Sequence, residues 1–389
     1  MRVCILGWYG TETIGDRGIL AGIFSFLHKS FGSGFTVSLG SLCPYFSERT
    51  LTEDSSFYKK STGTDTAVRI FDSRKSQELE SAVAHCDLLI VGGGPLMHIN
   101  ALFMIEYAFK LAKKKGKKAM LLGCGVGPLS RKRHQKATVS IAENCDKIIL
   151  RDEASVETLR FLFKQFSQRY DESKVSSSLD PSVESLLNFS KLPPVVQGEE
   201  YVALNMRFFP QLYGSEQSAS SIDSMLYEIL QIVAERFLDK KIRLIPMGYF
   251  HLSHDDRDFL NTLKIKLEKN NVEVQNMILS LEQTMEVFQN ASLNIGMRFH
   301  SVVFQTMLSG KNIVLDYTEP EKGKISGFLQ DIGGDALYKD RYFNLQLLSG
   351  AQEVHAGLEK MDVSGKFSFN EEAVKQKLEI YTTTLRTFA

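Results

Sequence analysis

No stretch of this 389-residue chain approaches the ~18–20 consecutive apolar residues that a membrane span needs. Insertion into a bilayer is therefore not expected. An excess of either charge is missing as well, since Lys and Arg total 46 and Asp and Glu total 46. That balance excludes the usual signature of a nucleic-acid binder or an acidic tail, and any basic site must be local. Cysteine is sparse: Cys4, Cys43, Cys86, Cys124 and Cys145 are odd in number and scattered, with neither a CxxC pair nor the His–Cys spacing of a metal site. Four of them lie in or beside apolar runs and are expected to be reduced core residues, with no bound metal. Internal repeats and low-complexity tracts are also absent. The opening MRVCILGWYG reaches glycine after a short apolar run, too short for a signal peptide. A cytoplasmic protein is expected, with any membrane contact peripheral and on the inner face.

What is present is the composition of a folded protein, 43% apolar, 24% charged and 10% aromatic. Short Val/Ile/Leu-rich runs alternate with longer amphipathic stretches, the pattern of parallel strands covered by helices. Strands are expected at 3–7, 35–40, 87–94, 119–125 and 147–151, with helices near 17–29, 75–85, 99–114, 131–144 and 154–165. The polar, proline-bearing SKLPPVVQGEE then marks a boundary. A second series follows, with strands at 201–207, 241–248, 272–275, 293–298 and 312–317 and helices near 221–238, 255–268, 281–290, 299–309 and 324–331. The expected fold is α/β, two Rossmann-like domains (1–188 and 198–365) facing a cleft, with a closing helix in 366–389. Ligands of open α/β sheets bind outside the carboxyl ends of the strands.

Several strand ends carry residues suited to chemistry. GWYGTETIGDRG (7–18) runs from a strand through glycines into a helix bearing Asp16. It serves either as a cradle for a phosphate or carboxylate, or as a tight turn with Asp16 capping the helix. VGGGPLMH (91–98) leaves backbone bare at Gly93 and Gly94 for a ligand or a neighbouring element, and His98 either packs at the helix start or faces the cleft. Arg151, in RDEAS, is either a guanidinium fork for an anion or the partner of its own acidic neighbours. Asp180, before a proline, holds a sugar hydroxyl or caps a turn. Arg207 ends the first strand of the second half, and GMRFHS brings Arg298 and His300 to another strand end, on one side if the strand persists that far. Lys322 and Lys324 sit in a loop before a helix, whereas KKKGKK (113–118) reads as a solvated helix end. Phe103, Met104 and Phe109, on the helix after the triple glycine, either touch a lipid-linked ligand or, as the favoured reading, belong to the core.

Together these stretches resemble the polysaccharide pyruvyl transferase family: GWYGTETIGD ending in Asp16, the triple glycine of VGGGPLMH, GVGP, RDEAS, LDPS, then MRFHSVVFQTMLSG and KISGFL with Lys324, in family order. Phe299 stands where the family usually has leucine. The resemblance implies a fold similar to glycosyltransferases of the B type and transfer of a pyruvyl group from phosphoenolpyruvate to two sugar hydroxyls, giving a cyclic ketal and phosphate. The acceptor would be a cell-surface polysaccharide or its lipid-linked precursor. For that donor, Arg151, Arg207, Arg298 and Lys324 are the candidate cations, His300 the proton donor to the enol carbon, and Asp16 the acceptor of a hydroxyl proton. Tyr9, Gly10, Gly93, Gly94, His98 and Asp180 are candidate acceptor-side residues, and no cofactor is needed beyond the donor. Two other readings are a nucleotide-sugar glycosyltransferase, with Glu319 or Glu321 as ribose-holding carboxylate, and a non-catalytic binding module of the same fold.

Overall fold

The computed structural model describes residues 1–194, 198–210, 213–214, 216–250, 255–320, 323–334, 340–362 and 365–389. Glu321 and Lys322 lie outside the described residues. The chain forms two compact units: unit 1 comprises residues 1–12, 16–188 and 371–389, and unit 2 comprises 13–15 and 189–370.

Unit 1 alternates strands and helices as β1 (Arg2–Leu6), α1 (Ile14–Phe31), β2 (Thr36–Ser41), α2 (Pro44–Thr62), β3 (Val68–Asp72), α3 (Ser76–His85), β4 (Leu88–Gly92), β5 (Pro95–Leu96), α4 (Ala101–Lys114), β6 (Lys118–Val126), α5 (Lys132–Glu143), β7 (Lys147–Leu150), α6 (Glu153–Gln165), β8 (Val175–Ser177) and α7 (Ser182–Phe189). Its strands are parallel, in the order β3-β2-β1-β4-β6-β7-β8, with β5 paired to β6. The central strands β4 and β6 are buried almost throughout because helices cover both faces of a parallel sheet, so their sequences are continuous apolar runs. The edge strands β3 and β8 are half-exposed and carry no such run, which is why periodicity does not reveal them.

Unit 2 continues with β9 (Tyr201–Asn205), α8 (Glu216–Arg236), β10 (Lys241–Leu244), α9 (Asp256–Leu267), β11 (Val272–Val274), α10 (Leu281–Asn290), β12 (Leu293–Gly296), α11 (Phe299–Leu308), β13 (Asn312–Asp316), α12 (Lys324–Asp331), β14 (Tyr342–Asn344) and α13 (Gln352–Lys360). Its parallel sheet has the order β11-β10-β9-β12-β13-β14, so the connections reverse direction between β9 and β12. Such a switch point opens a crevice at the carboxyl ends of those two strands. α11 is buried along its whole length, from Phe299 to Leu308, apart from His300.

The last helix, α14 (Glu371–Arg386), returns to unit 1. Val374, Leu378, Tyr381 and Leu385, at helical spacing, form its buried stripe. Tyr381 stacks on Phe26 at 4.5 Å and donates its hydroxyl to the Leu179 carbonyl at 2.6 Å.

Candidate functional site

The switch point of unit 2 gathers charge. Asn205 ends β9 fully buried; its Nδ2 donates to the Ile245 carbonyl at 2.8 Å, and its Oδ1 accepts the Arg298 backbone N–H at 3.0 Å. One side chain thus locks the ends of three neighbouring segments. Arg207 follows two residues later, half-buried and beyond the end of the strand expected to reach it. Likewise β12 stops at Gly296, so Arg298 and His300 are not displayed by strand alternation. Arg298 instead occupies the extended N-cap position of α11, and His300 lies in its first turn. Glycine is required at 296 because a Cβ there would stand 2.4 Å from Oε1 of Gln305, where α11 folds back across the strand end.

Arg298 grips Asp256, at the start of α9, with Nε to Oδ2 at 2.7 Å and Nη2 to Oδ1 at 2.6 Å. Asp256 is buried and also accepts the backbone N–H groups of Met247 and Gly248 at 2.9 and 3.1 Å, so the fork geometry of Arg298 is fixed from below. Lys324, the first residue of α12, places Nζ 5.5 Å from the ring centre of Tyr317 and 5.7 Å from that of Phe299. Tyr317 follows β13, is buried, and packs edge-on against Tyr213 at 5.3 Å.

The electrostatics report crowding of positive charge. Burial pushes the Arg207 guanidinium down to about 10, and neighbouring Arg298 adds to the fall. For Tyr317 burial acts upward, yet Lys324, Arg207 and Arg298 outweigh it and hold the phenol below its ordinary range. Three cations, carried by the segments that follow β9, β12 and β13, therefore converge on one buried phenol. His300 is half-buried, its ring 5.0 Å from that of Phe299. A Cβ at Gly15 would fall 1.9 Å from its Nδ1, so the bare backbone of Gly15 forms one wall of the imidazole's seat. That packing, rather than a turn, is what glycine serves at position 15. Within unit 2 the adjoining Ile14 N–H bonds to the Met247 carbonyl at 3.0 Å, and Thr13 pairs with Gly248.

In unit 1 the corresponding glycine-rich ends are occupied by the chain itself. Tyr9 is buried and donates its hydroxyl to the Gly92 carbonyl at 2.6 Å; Trp8 donates Nε1 to the Pro95 carbonyl at 3.0 Å. Added Cβ atoms would meet the Tyr9 hydroxyl at 3.1 Å from Gly93 and Trp8 Cδ1 at 2.3 Å from Gly94. The aromatic rings of the first loop thus lie on the backbone that the sequence leaves bare. Gly10 is pressed against Ser41 and Cys43. Asp16 sits half-buried in the first turn of α1 and accepts from the Thr11 hydroxyl at 3.3 Å. Arg151 is buried against Gly125 and paired with Asp180 at 3.3 Å and Asp152 at 3.5 Å. Asp180 also accepts Ser182 N and Oγ at 3.0 and 2.7 Å, the turn-capping arrangement, and Asp152 caps α6 through Ser155 N at 2.6 Å. His98 is half-buried, its Nδ1 3.1 Å from the Pro128 carbonyl.

The structure brings Arg207, Arg298, Lys324 and His300 together in unit 2 and keeps Arg151 in unit 1. Asp256 and Tyr317 belong to the cluster but carry no sequence signal of it. The first reads as an ordinary acidic residue at a helix start and the second as the last apolar residue of a strand.

A family model described as polysaccharide pyruvyl transferase matches residues 15–319. No curated protein matches the chain in sequence. Among solved structures, the UDP-GlcNAc 2-epimerase of Neisseria meningitidis bound to UDP-GlcNAc is similar over 100% of each chain, at 11% identity and a TM-score of 0.58. The Methanocaldococcus jannaschii UDP-GlcNAc 2-epimerase, in complex with UDP-GlcNAc and UDP, is similar over 98% of this chain and 100% of its own, at 14% identity and 0.56. Trehalose-6-phosphate synthase OtsA is similar over 100% and 96%, at 9% identity and 0.54. At such identities the likeness establishes the fold alone, an α/β fold with two parallel sheets of the glycosyltransferase B type.

Proposed function

Because this chain belongs to the polysaccharide pyruvyl transferase family, we propose that it moves the pyruvyl group of phosphoenolpyruvate onto two hydroxyls of a sugar. The sugar belongs to a cell-surface polysaccharide or its lipid-linked precursor, and the products are a cyclic ketal and phosphate. The convergence of Arg207, Arg298 and Lys324 on Tyr317 carries this reading. The donor presents a carboxylate and a phosphate close together, and a cluster whose cations exceed the Asp256 carboxylate by two suits such an anion. Its arrival would offset both the burial and the Arg298 repulsion that hold Arg207 down.

In this mechanism Lys324 and Arg207 bind the donor's anionic groups, and Arg298, steadied by Asp256, supplies a planar fork. His300 gives a proton to the methylene carbon, which becomes a methyl group, and the adjacent carbon becomes oxocarbenium-like. A first hydroxyl adds there, the carbon–oxygen bond to phosphate breaks, and a second hydroxyl closes the ketal. Of the two hydroxyl protons released, one restores His300 and the other leaves with phosphate. Asp16, the residue after Gly15, is the proposed relay for a hydroxyl proton. We assign Arg151 to holding Asp152 and Asp180, and give Tyr9, Gly10, Gly93, Gly94, His98 and Asp180 no acceptor contact, since their polar or backbone surfaces serve packing within unit 1.

Calorimetric titration with phosphoenolpyruvate and, separately, with UDP-sugars tests this. Donor binding that is lost in Arg207→Ala and Lys324→Ala is expected, together with acceptor-dependent phosphate release that falls at least about 100-fold in His300→Ala. Binding of UDP-sugars without binding of phosphoenolpyruvate would instead make the chain a nucleotide-sugar enzyme.

A further inference from the structure

The cations assigned to the donor leave the acceptor sugar, which membership of the family implies, without a seat. Unit 2 offers one beside them. Five large apolar residues of this unit stand exposed among the described residues, Phe208, Leu238, Ile265, Met277 and Leu347, and Phe208 alone is aromatic. It follows Arg207 in the chain, and Nε of Arg207 donates to the Phe208 carbonyl at 3.3 Å. Its ring lies against that of Phe259, 4.4 Å centre to centre and tilted by 48°. Phe259 is buried on α9 three residues after Asp256, so the two side chains share one face of that helix. Asp256 is the carboxylate that Arg298 grips. Phe208 is thus joined to the cation cluster twice, through the chain to Arg207 and through α9 to Arg298.

The exposure is built in, because the segment around it is anchored. Met206, two residues before, is fully buried, and Phe209, the residue after, is nearly so. The Phe209 N–H donates to Oδ1 of Asp223, on α8, at 2.8 Å, which ties the segment to a helix. The ring of Phe208 is therefore held outward, 51% exposed, with Phe259 supporting it. An aromatic side chain so fixed loses little conformational freedom when a ligand covers it. None of the other four exposed residues adjoins a cation of the cluster in the chain.

The surroundings select the occupant. A pyranose ring presents C–H groups on a face and hydroxyls around its edge, so it can cover an aromatic ring while its edge meets charged groups. A wholly apolar ligand would desolvate the neighbouring guanidinium without pairing it. A second anion would gain nothing from the ring. We propose that Phe208 is the stacking platform for the acceptor sugar, seating one pyranose ring beside the cations that hold the donor. This assignment rests on the donor reading proposed for the cluster. The two hydroxyls that enter the ketal then lie at the edge of the stacked ring, toward Arg207 and Arg298.

Donor and acceptor binding are measured separately on the full chain. Calorimetry uses phosphoenolpyruvate; ligand-observed NMR titration, without donor, uses the methyl glycosides of mannose, galactose, glucose and N-acetylglucosamine. At least one glycoside is expected to bind, and its affinity to fall at least about tenfold in Phe208→Ala and Phe208→Leu. Phe208→Tyr, which keeps an aromatic face, and Met277→Ala, at an exposed apolar residue elsewhere in unit 2, should retain it. Phosphoenolpyruvate affinity should be unchanged in all four variants. The platform is overturned by the absence of glycoside binding, by binding that survives Phe208→Ala or Phe208→Leu, by equal loss in Met277→Ala, or by a matching loss of donor affinity in Phe208→Ala. Intact phosphoenolpyruvate binding by the wild type would leave the donor reading standing in the first three cases. Wild-type protein that does not bind phosphoenolpyruvate overturns that reading, and the platform with it.

Discussion

Arg207 and Tyr317 give the cation cluster a measurable pH signature. The depressed guanidinium bears its charge at a cost at neutral pH, a cost that disappears as pH rises through about 10 and the proton leaves. A bound dianion favours the charged form, so phosphoenolpyruvate affinity should be fully present below that point and fall as pH climbs through it. Tyr317, held below the ordinary tyrosine range, ionises earlier and adds a negative charge in the same place, which moves the loss in the same direction. Calorimetry across the alkaline range is expected to show this decline, displaced to higher pH in Tyr317→Phe. An affinity that rises or stays flat in that range would mean the donor does not meet these cations. Neither partner of this coupling was legible in the sequence as a coupled pair, because the approach of Tyr317 to Arg207 depends on how β13 lies relative to β9, across β12.

At the scale of elements, legibility followed burial. Strands buried on both faces announced themselves as apolar runs, whereas β3, β8 and β14 lie at sheet edges with mixed exposure and did not. α2 was equally silent because few of its side chains, among them Phe57 and Tyr58, reach the core, and the rest of its sequence is polar. The stripe of α14 was clear from spacing, but its destination was not, since contacts between chain ends leave no local trace. Its anchoring has a testable cost. Tyr381 is fully buried, stacked on Phe26 and hydrogen-bonded to Leu179, so Tyr381→Ala is expected to destabilise unit 1 by about 3–5 kcal/mol in denaturant titration. Tyr381→Phe, which keeps the ring and loses one hydrogen bond, should cost only about 1 kcal/mol.

For the molecule as a whole, zero net charge conceals uneven distribution. Residues 97–148 hold eleven Lys or Arg against three Asp or Glu. The sequence therefore showed that basic sites must be local, while the fold decided which of them cooperate. KKKGKK ends α4, and RKRHQK begins α5, so the two runs occupy opposite ends of neighbouring helices. Attraction of an anionic donor to the half-buried cluster around Tyr317 should weaken only modestly with ionic strength, because partly buried charges are screened less than exposed ones.

The thiols offer a built-in clock. Cys4, Cys86, Cys124 and Cys145 are buried and Cys43 alone of the five is partly accessible, lying against Gly10 in the first loop. A brief pulse of alkylating reagent should tag Cys43 on the native protein at once and the other four only through opening of unit 1. Mass spectrometry would then count, molecule by molecule, how often that unit breathes, and a dye on Cys43 would watch the neighbouring loop without a single engineered residue.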